Sequence, residues 1–185
     1  VTDAANITQS IVNSVTELVQ TSTTAENMIG NFKETMKIYR QGKEYYDRLR
    51  NVTHLVRDAR KVQQSILLVG ELSDIYVTSY DKMLTDDNFS SAELSAIAAG
   101  YNKLMERGMN SLKDLKEIVN PTDYSMTDKE RLDRIDQAHG ELTHTRDLMV
   151  YYTRKNISVS YLRSQRKNDT QRVLDLYGSP DEKYW

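Results

Sequence analysis

The sequence predicts an all-α protein, an elongated antiparallel bundle of about four long helices followed by a short C-terminal helix, in a single domain over residues 1–185. Three observations predict it. Only two prolines and seven glycines occur in 185 residues, so long stretches lack both of the strong helix breakers. Apolar residues return in alternating steps of three and four, the spacing that keeps side chains on one helical face. No stretch alternates with period two between turn residues, so no strand is expected. Apolar residues at 38% against charged residues at 28% describe a polar surface around a narrow seam, which favours slender rods over a thick core.

The first seam runs Ile11, Val15, Leu18, Ser22, Ala25, Ile29, Phe32, Met36, Tyr39, Lys43 and Tyr46, an a/d pattern held for about five heptads. Thr23 and Glu26 match a capping box, but the seam crosses them in phase. One helix is therefore expected over residues 5–49, roughly 65 Å long at 1.5 Å per residue. A second seam reads Val52, Leu55, Ala59, Val62, Ile66, Val69, Ser73, Tyr76, Tyr80 and Met83 and predicts a helix over residues 52–84. The two are out of register, because Tyr46, Leu49 and Val52 are joined by two successive steps of three. A break or reversal near Arg50-Asn51 resolves this, the alternative being one overwound helix.

A polar loop is expected at residues 85–90, after which Ser90 and Glu93 form a capping box for a helix over residues 91–119. Its apolar face is Leu94, Ile97, Tyr101, Leu104, Gly108, Leu112, Leu115 and Val119. Asn120-Pro121 stops it, because the residue before proline is pushed out of the helical region. Thr127 and Glu130 open the next helix, over residues 128–165, with Ile135, Leu142, Met149, Tyr152, Val159 and Leu162 expected to face inward. A terminal helix over residues 169–177 is closed by Gly178 and Pro180.

The chemistry-bearing residues make no recognised catalytic pattern. The glycines stand alone along the chain, so no glycine-rich loop cradles a phosphate. Cysteine is absent, which removes thiolate nucleophiles, thiolate metal sites and disulfides together. Asp136 with His139 and Glu141 with His144 have the i, i+3 spacing of carboxylate-bridged metal bundles. Both pairs fall on one helix, about 140° apart around its axis, whereas such sites draw one pair from each of two helices. They are read as surface pairs, and no metal or cofactor is expected. The longest aliphatic run, Ile66-Leu67-Leu68-Val69, is far short of the ~20 residues that cross a bilayer, so no membrane-spanning segment is expected.

Two groups remain as a candidate interaction surface: Asp86, Asp87 and Asn88 in the polar loop, and Arg154, Lys155, Arg163, Arg166 and Lys167 along the fourth long helix. The loop lacks the alternating ligands, central glycine and terminal glutamate of a calcium loop and is expected to be solvated. The basic residues, with Arg172 and with Tyr151, Tyr152 and Tyr161 among them, have the composition of a single-stranded DNA strip, or of a solvated helix face over packed tyrosines. The net charge of −2 disfavours a protein built mainly to bind nucleic acid. Twelve tyrosines against two phenylalanines suit thin bundles and protein interfaces, where the ring packs and the hydroxyl stays wet.

The stretches Ala59-Arg-Lys-Val-Gln-Gln-Ser-Ile-Leu-Leu-Val-Gly70, Glu93-Leu-Ser-Ala-Ile-Ala-Ala-Gly-Tyr101, Ser125-Met-Thr-Asp-Lys-Glu-Arg-Leu132 and Tyr151-Tyr-Thr-Arg-Lys-Asn-Ile-Ser-Val-Ser-Tyr-Leu162 carry a resemblance, as does the ending Asp181-Glu-Lys-Tyr-Trp185. Together they resemble a conjugal-transfer protein family, of uncharacterised domain type, carried by conjugative transposons of Bacteroidetes. That family is distantly similar to the minor-pilin components of type IV secretion systems. The resemblance implies an exported protein, periplasmic or at the cell surface, with a signal peptide removed before Val1; together with the lack of a catalytic pattern it predicts a non-enzymatic structural component of the transfer apparatus. Its implied partners are other proteins of the transfer apparatus, with a homo-oligomer open because heptads serve intramolecular bundles and intermolecular coils alike. The competing expectation is a cytoplasmic DNA-handling accessory that uses the basic strip from Arg154 to Arg172.

Overall fold

Residues 57–119 and 127–179 are described in the computed structural model, with side chains over 60–115 and 127–179. The expected helix at residues 5–49, the break at Arg50-Asn51 and the Asn120-Pro121 stop lie outside them. The described residues are all-α: α1 spans Arg57–Leu84, α2 Ser91–Val119, α3 Asp128–Arg166 and α4 Thr170–Tyr177.

The helix ends follow local chemistry. At the start of α2, Ser90 Oγ accepts the Glu93 N–H at 3.2 Å while the Glu93 carboxylate accepts the Ser90 N–H at 2.8 Å. Thr127 and Glu130 repeat this capping box at the start of α3. Each box satisfies two helix-terminal N–H groups that have no partner inside the helix. At the end of α3, Asn168 adopts the left-handed conformation with φ 55°. The Asp169 N–H then reaches back to Ser164 O at 2.9 Å and the Asn168 N–H to Gln165 O at 3.3 Å, the pair of bonds that closes a helix and turns the chain. Asparagine tolerates this backbone better than most residues because its short polar side chain can hydrogen-bond locally and offset the steric cost. Gly178, at φ 91°, ends α4, with its N–H on Leu174 O.

Three long helices run up, down and up. Tyr80 bonds Leu94 O, and the rings of Tyr76 and Tyr101 touch, so α1 and α2 are antiparallel. Ser111 meets Glu141 at one end and Glu93 meets Arg163 at the other, so α2 and α3 are antiparallel too. Contacts from Lys61 to Asp136, Glu71 to Arg146 and Asp86 to Ser160 show that α1 and α3 run parallel, in register throughout. Short connections between successive helices produce this order. α4 then folds back across the end where α1 meets α2.

The core lies along the axis of this bundle. In α1 the seam residues Val62, Ile66, Val69, Ser73, Tyr76, Tyr80 and Met83 are all buried, as their spacing requires. Leu68, Leu72 and Ile75 are buried as well, because α1 is covered by both α2 and α3. Met105, Met109, Leu112 and Leu115 of α2 meet them, with Leu142 and Met149 of α3. Each such side chain contributes about 1.5–3 kcal/mol through burial.

α3 departs from the expected seam. Val159 is 38% and Leu162 59% exposed, so neither is an inward position. The residues that do face the core are Ile135, Ala138, Leu142, Thr145, Met149, Thr153, Ile157, Ser160 and Ser164. These nine cover 29 residues in eight steps, about 3.6 per step, the period of a straight helix. Extending a heptad beyond Met149 drifts off that face, since 3.5 falls short of 3.6 at every turn. The inward residues beyond Met149 are also mostly hydroxyl-bearing and carry no apolar signal.

Candidate functional site

At the end of the bundle capped by α4, ionisable side chains from the loop after α1 and from α2, α3 and α4 converge. It starts from the loop after α1. The last turn of α1 tightens, with the Thr85 N–H on Lys82 O and the Asp86 N–H on Met83 O, both at 3.1 Å. This turn carries Asp86 into the bundle, where the residue is only 3% exposed. Its own carboxylate then shapes the loop by accepting the Asn88 N–H at 3.0 Å.

Asp86 is the hub. Its Oδ2 accepts hydrogen bonds from the Ser160 hydroxyl of α3 and, at 2.7 Å, from the Tyr177 hydroxyl of α4. The Arg172 guanidinium of α4 lies 3.4 Å from Oδ1 and also pairs with Asp169. Burial works to raise this carboxyl, but the bonds from Ser160, Tyr177 and the Asn88 N–H, with the charge of Arg172, outweigh it. Asp86 is therefore held below the ordinary carboxylate range and is ionised in the folded protein. Burial, with Asp86 as hydrogen-bond acceptor, pushes the Tyr177 hydroxyl far above its usual value, so Tyr177 stays a donor.

A second set of bonds locks the same loop onto α3. Asn88, 5% exposed, donates through Nδ2 to the Ser160 hydroxyl at 3.1 Å and accepts at Oδ1 from Lys167 at 2.8 Å. Arg163 donates to Asn88 O at 2.6 Å and grips both carboxylate oxygens of Glu93, at 2.6 and 2.9 Å. That bidentate grip, with the Ser90 N–H, holds the Glu93 carboxyl down to about 2. Glu93 thus caps α2 and anchors α3 with one side chain.

Below this clasp the bundle is joined by tyrosines. Tyr76, Tyr80, Tyr101 and Tyr152 form one ring cluster, with Tyr101 edge-on to Tyr76 at 4.4 Å and to Tyr152 at 5.0 Å. The Tyr80 hydroxyl donates to Leu94 O at 2.9 Å, Tyr152 donates to Ile97 O at 3.0 Å, and the Tyr101 and Thr153 hydroxyls share a bond of 2.6 Å. Tyrosine rather than phenylalanine suits Tyr80, Tyr101 and Tyr152 because each of these hydroxyls finds a partner across a helix boundary. Gly100 permits it: a Cβ there would lie 2.1 Å from the Tyr152 hydroxyl oxygen.

The predicted surface residues separate into two sets. Asp86, Asn88, Arg163 and Lys167 are brought together, and they form internal structure in place of the expected solvated loop. Burial explains the change, since Asn88 and Asp86 each bond the buried hydroxyl of Ser160. Asp87 stays exposed at the loop tip, and Arg154, Lys155 and Arg166 stay exposed on α3. Lys155 sits 5.8 Å above the Tyr151 ring, and Tyr151 is 60% exposed. Ser160, Tyr177 and the second role of Glu93 were absent from the sequence reading. Only Glu93 had a sequence signal, its capping box.

The Asp136/His139 and Glu141/His144 pairs do not meet. Asp136 pairs with Lys61 of α1, while Glu141 accepts from Ser111 of α2 at 3.2 Å and from Gln137 at 3.1 Å. Among the described residues no group of three His, Asp or Glu side chains is placed to hold a metal. No helix among them is long and apolar enough to cross a membrane.

A family model described as a domain of unknown function, DUF4141, matches residues 1–32, ahead of the described bundle. No match was found among curated proteins, and none among solved structures.

Proposed function

We propose that this chain is a structural, contact-making component of a conjugative DNA-transfer apparatus of the type IV secretion kind. In this reading it is exported, minor-pilin-like and non-enzymatic, and it acts by protein–protein contacts through helix faces. The observation that carries the structural part is the clasp. The converging charged groups Asp86, Glu93, Arg163, Lys167 and Arg172 are bonded to one another or to the loop, so their chemistry is spent on holding three elements together. The apparatus itself rests on the resemblance of the stretches at residues 59–70, 93–101, 125–132 and 151–162 to a conjugal-transfer family.

Deleting the gene from a mobile element that carries it should abolish or sharply reduce DNA transfer and leave processing of that DNA intact. Transfer at the parental rate refutes the reading.

A second reading, a DNA-handling accessory, draws on one observation: no acidic residue lies between Asp147 and Asp169, a stretch that holds five cations. Two of the five, Arg163 and Lys167, are engaged in the clasp, as is Arg172 beyond it, which leaves Arg154, Lys155 and Arg166 for a phosphate backbone. Single-stranded DNA titrated at low and high salt tests it, because three phosphate contacts give a log–log salt slope of about −2.

A further inference from the structure

The outer side of α3 carries a stripe that the bundle does not use. Tyr151, Lys155, Val159, Leu162 and Arg166 follow one another in steps of four, four, three and four, so they share one face of the helix. That face lies opposite the inward residues Thr153, Ile157 and Ser160 and so points away from both α1 and α2. Tyr151, Val159 and Leu162 are the large hydrophobic residues left exposed among the described ones. Around them the charge has one sign, with Arg154 beside the stripe and no carboxylate on α3 from residue 148 to its end. An apolar line with a cationic rim fits an amphipathic segment whose apolar line has an acidic surround.

The chain contains such a segment. Residues 1–32 hold Asp3, Glu17 and Glu26 and neither lysine nor arginine, a net charge of −3. The same stretch carries the heptad positions Ile11, Val15, Leu18, Ala25 and Ile29, so its apolar line is as long as the stripe on α3 requires. The stripe spans 15 residues, about 22 Å of helix, and Ile11 to Ile29 spans 18 residues, about 27 Å if helical. Because the stripe faces away from α1, a helix docked on it would have its axis two interaxial spacings, on the order of 20 Å, from that of α1. A neighbouring molecule approaches it without crossing the bundle.

We propose that the outer face of α3 docks the acidic heptad segment, residues 11–29, of a second copy of this chain. The two surfaces differ and belong to different segments of the sequence, so the contact is head-to-tail, leaving each added copy with a free segment or a free face. This deepens the contact-making reading above. The two stand apart, because self-association in a protein dispensable for transfer would sink that reading and leave this one standing.

Charge exchange on the full chain tests it. One variant carries Glu17→Lys and Glu26→Lys, the other Lys155→Glu and Arg166→Glu, the last two at exposed positions. Circular dichroism and thermal unfolding confirm that both fold as the parent does. In sedimentation velocity at low salt the parent is expected to self-associate, each variant alone to weaken at least tenfold, and an equimolar mixture to recover association. Recovery in the mixture requires contact between chains. A parent that stays monomeric at 100 μM protein or so, variants that associate like the parent, or a mixture that stays dissociated would each overturn the proposal. Leu162→Glu supplies the apolar arm: it too should weaken association tenfold or more, and parental association would overturn the apolar contact.

Discussion

The middle of the bundle and its capped end are held by different physics. Around Leu72, Met105, Leu112, Leu142 and Met149 the helices fit by shape, with side chains at or near complete burial. At the end, Thr153, Ser160, Ser164, Asp86 and Asn88 occupy equally buried positions and fit by hydrogen bonds. An apolar contact tolerates small shifts, whereas a buried donor without its acceptor loses its whole compensation for leaving water. The middle therefore supplies most of the stability, and the end fixes the register of the loop, α3 and α4.

The largest effect should come from the middle. Leu142→Ala removes a fully buried side chain facing α1 and α2 and should cost about 2–5 kcal/mol, read as a lower urea midpoint with an unchanged slope. Asp86→Ala should cost somewhat less, on the order of 3 kcal/mol, by leaving the Ser160 and Tyr177 hydroxyls and the Asn88 N–H without an acceptor. Arg172 is about a third exposed and can turn to water, so loss of its ion pair adds little. The two losses should differ in place as well as size. Hydrogen exchange in Asp86→Ala should accelerate first in α4 and the loop, and in Leu142→Ala throughout the three long helices. Uniform acceleration in both would show that the end has no separate role.

The same contrast explains what the sequence disclosed. Where the buried face is apolar, the three-and-four spacing predicted part of it: it found the α1 seam from Val62 to Met83 but not Leu68, Leu72 and Ile75, and on α2 it found Ile97, Tyr101, Leu112 and Leu115 but not Met105 and Met109. The helix boundaries at Ser91 and Asp128 were legible because Thr127 with Glu130 and Ser90 with Glu93 are local devices, complete within four residues. The end of the bundle was not. Asp86 meets Tyr177 across 91 residues and Ser160 across 74, and polar side chains at buried positions give no periodic signal. Val159 and Leu162 were misplaced for the same reason, since apolar residues outside and hydroxyls inside invert the pattern that periodicity reads. Of the interaction surface, Arg154, Lys155, Arg166 and Asp87 stand outside, Asp86 and Asn88 are buried, and Arg163 and Lys167 bond the loop from the rim.

Acid should divide the two regions without any change of sequence. The Asp86 carboxyl is lowered in the folded protein, so its contribution is fully present above the unfolded value of about 3.9 and is lost as pH falls below that toward the folded value. Glu93, lowered to about 2, acts in the same direction. The thermal unfolding midpoint of the parent should therefore drop as pH falls from 5 to about 2. In Asp86→Asn the dependence should be shallower, with Glu93 and Glu130, both also lowered in the folded protein, contributing to what remains. An unchanged pH slope in that variant would remove Asp86 as the ionised hub.

The smallest effects come from two glycines and sharpen the comparison within single helices. At Gly140 an added Cβ meets nothing within 4 Å, so Gly140→Ala should stabilise by about 1 kcal/mol through reduced backbone entropy of the unfolded chain. At Gly108 the Cβ would lie 2.8 Å from the Cδ1 of fully buried Leu72. Gly108→Ala makes the same entropic gain but must move a side chain in the tightest part of the core, at about 1–3 kcal/mol. The net change should be zero to about 2 kcal/mol unfavourable. Urea titrations of the two variants should thus move in opposite directions or differ by at least the gain at Gly140. Equal stabilisation of both would mean that the middle of the bundle is packed loosely enough to accept a methyl group, against the shape-fitting ascribed to it.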